Sequence, residues 1–251
     1  MPRNQSEAIV LRAQKLGDQD KLVVLFSPIH GLIEGVAKGA MKSRHRFGCS
    51  LEPMSHVKVF YYEKENNRYV TVGNCDLIED YIDLQSDPDI LFTFALFTEL
   101  VEVSRPSGEN DELLFRLLRE TLRAFKGGGR PDALTAYFEA WYLRISGFLP
   151  DFRACKGCGA DGSGGNWLSP QRDGMLCGRC AEMRRDPVPE GLQEFLIWTR
   201  KNPPPWAEQG PPVDEERMRG IRRALETLIV YHLERVPRAL NYLKLADNGE
   251  G

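Results

Sequence analysis

Four cysteines stand in two pairs of equal spacing, Cys155-x2-Cys158 and Cys177-x2-Cys180, with eighteen residues between the pairs. A two-residue gap lets both thiolates of a pair face one centre from a tight turn. Two such turns supply the tetrahedral four-sulfur shell that Zn²⁺ prefers. The turn residues agree, because the pairs read CKGCG and CGRC, with glycines where the backbone must bend. A redox dithiol and a pair of disulfides are the competing uses of such cysteines. A redox CxxC stands singly beside a βαβ pattern, which this sequence lacks. Four sulfurs close the coordination shell and leave no position for an activated water. The expectation is therefore one structural zinc per chain, with the function carried elsewhere.

Positive charge is the second concentration of chemistry. Residues 35–50 contain no acid, while Lys38, Lys42, Arg44 and Arg46 give four positive charges with His45 among them. The chain as a whole carries a net charge of −3. A basic segment inside an acidic chain still presents a local positive field. The charges of GVAKGAMKSRHRFG fall at irregular spacing, unlike the i, i+4 pattern of a helix face. Its small residues, Gly35, Ala37, Gly39 and Ala40, allow a ligand to approach the backbone closely. Such a loop suits phosphate tracking, with a solvated connector as the alternative. Phe47, Phe60, Tyr61, Tyr62 and Tyr69 stand near it for base stacking, although core packing is the ordinary role of any one aromatic.

Catalytic patterns are missing. His30, His45, His56 and His232 are scattered, and there is no GxSxG, HExxH or phosphate-loop motif, so the chain is read as a non-enzyme. His232 falls on an apolar helix face and reads as a core histidine with its hydrogen bonds met. Cys49 and Cys75 read as core or half-buried filler. Free cysteines beside a thiolate metal site fit a reducing cytoplasm. The opening MPRNQSEAIVLRAQ lacks the apolar core of a signal peptide, and the apolar run 90–97 is too short to span a bilayer, so no membrane partner is expected.

The elements that must position these residues change character near residue 80. Up to there, EAIVLRA, DKLVVLF, HGLIEGVAKG, SHVKVFYY and RYVTVG are short β-rich runs separated by Gly, Asp, Asn and Pro. Five short strands in about eighty residues suit a small closed barrel, most commonly an OB-fold. Alternation along SHVKVFYY puts Val57, Val59 and Tyr61 on one face. His56, Lys58, Phe60 and Tyr62 take the other, which reads as the outer or binding face. Beyond it, helical periodicity covers 87–104, 111–125, 131–147, 189–201 and 214–243, with Pro131 at a first turn and Pro237 as a break. The fold class is α+β multidomain: an OB-fold β-barrel over 1–80, an all-α domain over 81–152 and 183–247, and a four-cysteine zinc knuckle inserted at 153–182.

The run AIVLRAQKLGDQDKLVVLFSPIHGLIEGVAKGAMKSRHRFG combines an "LR" strand, G-[DE]-x-D, an "LFS…HG" hairpin and an "AKGA" basic loop. FEAWYLRISGFLPDFRACKGCG runs from a helix through G-x-x-P into the first cysteine pair, and RALETLIVYHLERVPRAL closes the chain. In these segments the chain resembles the bacterial RecO recombination and repair mediators along nearly its whole length. It departs at Val236-Pro237-Arg238, where family members often show a Lys-Ser-Arg triplet. The resemblance implies a cytoplasmic, nucleoid-associated protein that binds single- and double-stranded DNA and anneals complementary strands coated with single-strand binding protein. With the RecR partner it helps load recombinase onto gapped DNA. Lys38, Lys42, Arg44 and Arg46 match the family's basic loop and Arg12 its first-strand arginine. The helical body is expected to take the tail of single-strand binding protein among Arg123, Arg130 and Arg144. A zinc-containing protein–protein adaptor with an inert barrel is the alternative, and it gives no reason for four clustered charges. The knuckle's Arg153, Lys156, Arg172, Arg179, Arg184 and Arg185 leave open both a DNA contact and a solvated basic rim.

Overall fold

A computed structural model describes residues 3–42, 46–63, 67–104, 112–161, 165–206 and 210–248. The β-rich runs form five strands, β1 (Arg3–Leu16), β2 (Asp20–Ser27), β3 (Gly31–Ala37), β4 (His56–Tyr62) and β5 (Val70–Glu79). They close into an OB-like barrel in the order β1-β2-β3-β5-β4, with β1 pairing antiparallel to both β2 and β4. Closure depends on one short parallel pairing, Gly35 to Val70 through Ala37 to Val72. A Cβ on Gly35 would stand 2.8 Å from a Val72 methyl and 2.9 Å from a Val70 methyl. Gly35 therefore serves the approach of two strands rather than that of a ligand.

Alternation fills the barrel as the pattern of β4 demands. Val57, Val59 and Tyr61 point inward with Ala8, Val10, Val23, Leu25, Ile33 and Val72. Phe47 also belongs to this interior, so Phe47 and Tyr61 are core residues rather than stacking platforms. Cys75 is buried, and loss of hydration pushes its thiol up to about 12. Cys49 is exposed, contrary to the filler role expected for it. On the outer face of β4, Lys58 is exposed and Phe60 and Tyr62 are half-buried. His56 departs from that face pattern: it is buried, with its ring edge-on to Phe115 at 6.1 Å and Nε2 2.6 Å from Glu7 Oε1.

Among the described residues six α-helices follow: α1 (Pro88–Ser104), α2 (Glu112–Lys126), α3 (Pro131–Ile145), α4 (Leu192–Lys201), α5 (Glu215–Leu233) and α6 (Arg238–Asn248). Their ends obey local chemistry. Asp214 caps α5 by accepting from Arg217 N at 2.9 Å, and Pro131 opens α3. Glu234 takes a left-handed φ of 53° to end α5 before Pro237. Glu99 of α1 accepts from Arg238 N at 2.8 Å and Ala239 N at 2.9 Å, capping α6 with both carboxylate oxygens. No helix among the described residues is long and apolar enough to cross a membrane.

The chain forms two compact units, Met1–Leu122 with Pro237–Gly251, and Arg123–Val236. The first holds the barrel, α1, most of α2, and α6. The helical stretches 81–152 and 183–247 are thus shared between the units. In the second unit α3 packs on α5 through Leu134, Phe138, Tyr142, Ile221, Leu225 and Leu228, all buried. Glu139 is fully buried within this unit and neither carboxylate oxygen finds a partner among the described residues. Burial pushes its carboxyl well above the ordinary range; Glu226 adds to the effect and Arg222 opposes it. His232 is half-buried and stacks on Phe148 at 4.4 Å and 7°, but its Nε2 has no hydrogen-bond partner among the described residues. The core histidine with met hydrogen bonds is not what the fold builds there.

Candidate metal centre and nucleic-acid interface

The cysteine segment folds on a small sheet of β6 (Asp151–Cys155), β7 (Asn166–Leu168) and β8 (Gly174–Cys177), in the order β6-β8-β7. β6 delivers Cys155 and β8 delivers Cys177, so the parallel β6–β8 pairing brings the two turns together. Each pair then curls into a knuckle. Gly159 N donates to Cys155 O at 2.7 Å with φ at +73°, and Cys180 N and Ala181 N donate to Cys177 O at 3.0 and 2.9 Å. Gly157 is needed for the approach, since a Cβ there would lie 3.1 Å from Cys180 Sγ.

The four sulfurs lie within 4.8 Å of one another, and Cys158 Sγ to Cys177 Sγ is 3.7 Å. A tetrahedral ion with metal–sulfur bonds of about 2.3 Å requires sulfurs about 3.8 Å apart. The donor set and spacing therefore fit a metal ion. Backbone amides also aim at sulfur, Cys177 N reaching Cys155 Sγ at 3.3 Å. This donation, joined by the Cys158 and Gly157 amides, holds the Cys155 thiol down to about 6. The Arg179 and Cys180 amides lower Cys177 in the same way. Cys180, facing the Cys158, Cys155 and Cys177 sulfurs, is pushed up to about 12. A cation set among the four sulfurs would favour the thiolate form of each.

The basic loop leaves the barrel after β3. Its base is fixed by Gly39 N to Asp20 Oδ1 at 2.8 Å and Met41 N to Gln19 O at 2.9 Å, both in the β1–β2 turn region. Gly39 needs its glycine, with φ at +67°. Lys38, Lys42 and Arg46 are exposed; Arg44 lies outside the described residues. Arg46 folds back, donating from Nη2 to Lys38 O at 2.8 Å with its guanidinium 5.2 Å from the Phe47 ring centre. Lys38 and Lys42 form no ion pair with a carboxylate among the described residues.

Arg12, on β1, is held differently: its Nε lies 2.7 Å from Glu102 Oε1 of α1. It also lines a cavity of about 120 Å³ with Gln14, Glu34, Arg68 and Tyr69. There Arg68 faces Glu34 at 3.5 Å and covers the Tyr69 ring at 5.3 Å. The family resemblance singles out Arg12 but neither Glu102 nor Glu34, since no local spacing links residues this far apart in the chain. On the knuckle rim, Arg153 pairs with Asp151 at 2.6 Å, and Lys156 and Arg172 pair with Asp173 and Asp186. Arg184 donates to Gly178 O at 3.2 Å and lies over Trp167 at 5.2 Å, while Arg179 and Arg185 are exposed.

Residues 1–81 match the family described as Recombination protein O N terminal, and residues 85–240 match Recombination protein O C terminal. The chain belongs to the RecO family. The DNA repair protein RecO of Koribacter versatilis is 32% identical over 234 residues, covering 92% of this chain and 94% of the relative. That of Anaeromyxobacter dehalogenans is 31% identical across 97% of this chain and 96% of its own. The RecO of Pelotomaculum thermopropionicum is 30% identical across 95% and 93%. The expected RecO kinship, OB-like barrel and helical C-terminal part accordingly stand together along the whole chain.

Proposed function

We propose that this RecO-family chain is a DNA-binding recombination mediator without catalytic chemistry. It binds single- and double-stranded DNA, anneals complementary strands, and helps load recombinase on gapped DNA at the nucleoid. The observation that carries this reading is the basic loop. Lys38, Lys42 and Arg46 are exposed on a backbone pinned to the barrel, and acids are absent from residues 35–50. A fixed row of cations tracks phosphates without reading bases. Arg44, outside the described residues, adds a further charge by sequence, and Arg12 adds a contact on β1.

Residues 1–80 act as the DNA module, and 153–182 as a zinc module set into the helical body of 81–152 and 183–247. The ion held by Cys155, Cys158, Cys177 and Cys180 is Zn²⁺. Its shell is filled by the four thiolates, so when bound it supplies folding rather than reaction. RecR and single-strand binding protein are the partners. For the acidic tail of the latter, Arg123, Arg130 and Arg144 remain the candidates: Asp132 engages Arg130 at 2.7 and 3.2 Å, and Arg144 donates to Leu196 O at 3.2 Å and lies over the Trp141 ring at 4.4 Å.

Strand annealing tests the reading. Labelled complementary oligonucleotides mixed with equimolar protein should anneal faster than alone, without ATP, and neutralising the basic loop should abolish the gain. No acceleration by the wild-type chain would overturn the proposal.

A further inference from the structure

The cations assigned to DNA differ in what holds them. Lys38 and Lys42 are exposed and carry no carboxylate partner among the described residues. Arg12 is half-exposed, yet its Nε already lies 2.7 Å from Glu102 Oε1, an ion pair outside hydrogen-bond geometry, and the Glu102 side chain is only 20% exposed. The second arginine of the same cavity, Arg68, also faces a carboxylate, that of Glu34. Burial pushes the Glu102 carboxyl up, Arg12 opposes this, and Glu99 and Glu34 add to the rise. Arg12 is therefore the neighbouring charge that favours a negative Glu102, and both arginines that a phosphate would meet at this cavity already face a carboxylate.

We propose that Glu102 masks Arg12 in the free protein, and that a DNA phosphate engages Arg12 by replacing the Glu102 carboxylate. The inference rests on the reading of Arg12 as a DNA contact. A guanidinium presents the same planar donor edge to a carboxylate and to a phosphate, so the two anions compete for one set of N–H groups. A stray phosphate meets a pair that is already formed. A strand held by Lys38 and Lys42 presents its next phosphates at high effective concentration, and only then does exchange become favourable. Glu102 thus sets the order of contacts: the loop first, Arg12 second.

The test is a double-mutant cycle in the full chain, with binding of a labelled oligothymidylate measured across a salt series. Glu102→Gln should tighten binding and steepen the log–log salt slope by about 0.7, an extra loss of about 2.6-fold between about 50 and 200 mM salt. In the Arg12→Ala background the same substitution should produce no such steepening. Glu102→Asp, which withdraws the carboxylate without deleting its charge, should give a smaller steepening and guards against misfolding of the amide variant. Equal tightening by Glu102→Gln in both backgrounds would reduce Glu102 to a repelling charge and overturn the mask. An unchanged Glu102→Gln beside a weakened Arg12→Ala would overturn it too, leaving Arg12 as an open contact. If Arg12→Ala, Glu102→Gln and the double variant all bind as wild type, the reading of Arg12 itself fails and the mask with it.

Discussion

Replacing Lys38, Lys42, Arg44 and Arg46 together by alanine should remove most of the salt dependence of single-strand binding. If each side chain neutralises one phosphate, four contacts at about −0.7 apiece give a log–log slope of about −2.8. Affinity of the wild type should then fall about 50-fold between about 50 and 200 mM salt, and that of the quadruple variant only slightly. Arg12 is left out of the count because the Glu102 carboxylate it releases offsets the phosphate it gains, leaving little net salt dependence. The substitutions spare the loop's anchors, which are backbone amides on Asp20 and on the Gln19 carbonyl. Arg46 is the exception, since its guanidinium also holds the Lys38 carbonyl, so Arg46→Ala should lose more than one contact's share. Fluorescence anisotropy with homopolymer and mixed-sequence strands is the assay, and both should weaken alike, because phosphate contacts carry no base information. A quadruple variant with wild-type affinity and slope would refute the argument and move the DNA path off the barrel loop.

The metal site and the buried acid give two more expectations. Protein purified without chelator should hold one zinc per chain by elemental analysis. Cys177→Ser should lose it and open residues 151–180 to proteolysis; a metal-free protein with an equally protected knuckle would contradict this. Glu139 carries a carboxyl raised above its unfolded value, so its contribution to stability is complete below about pH 4.3 and declines as pH rises towards the folded value, by about 1.4 kcal/mol per unit within that window. Glu139→Gln should flatten this decline in urea midpoints taken from about pH 5 to about pH 8, and parallel curves for the two proteins would show that Glu139 is not the group responsible.

The parts legible in the sequence are those written in local spacing. The cysteine pairs announce themselves because a knuckle is built within four residues, and the alternation of Val57, Val59 and Tyr61 fixes the inward face of β4. Contacts between distant segments leave no such trace. His56 sits on the outward register of β4 and is buried only because Phe115 lies against it. Phe47 looks like a stacking residue beside four charges, yet it fills the barrel interior. Gly35 looks like an opening for a ligand and proves to be the point where β3 meets β5. α6 groups with the barrel unit by packing on α1, where Glu99 caps its first turn across well over a hundred residues.

The same distinction bears on the proposal that DNA follows the barrel loop. Counted from sequence, the knuckle offers six basic side chains and the loop four. Counted by what each charge already does, the rim's lead disappears, because among the described residues the loop keeps Lys38 and Lys42 while Arg46 is held by the Lys38 carbonyl and the Phe47 ring. Arg153, Lys156 and Arg172 are paired with aspartates, and Arg184 is spent on Gly178 and the Trp167 ring. That leaves Arg179 and Arg185 as the rim's unpaired cations among the described residues. An ion pair must be broken before its cation can release a counterion from DNA, so a paired arginine adds little to salt-dependent binding. The loop has no acid within it to pair with, and Lys38 and Lys42 are exposed with no carboxylate partner among the described residues. Annealing asks for such charges, because two strands come together when their phosphate repulsion is lifted, and only cations not already neutralised can lift it.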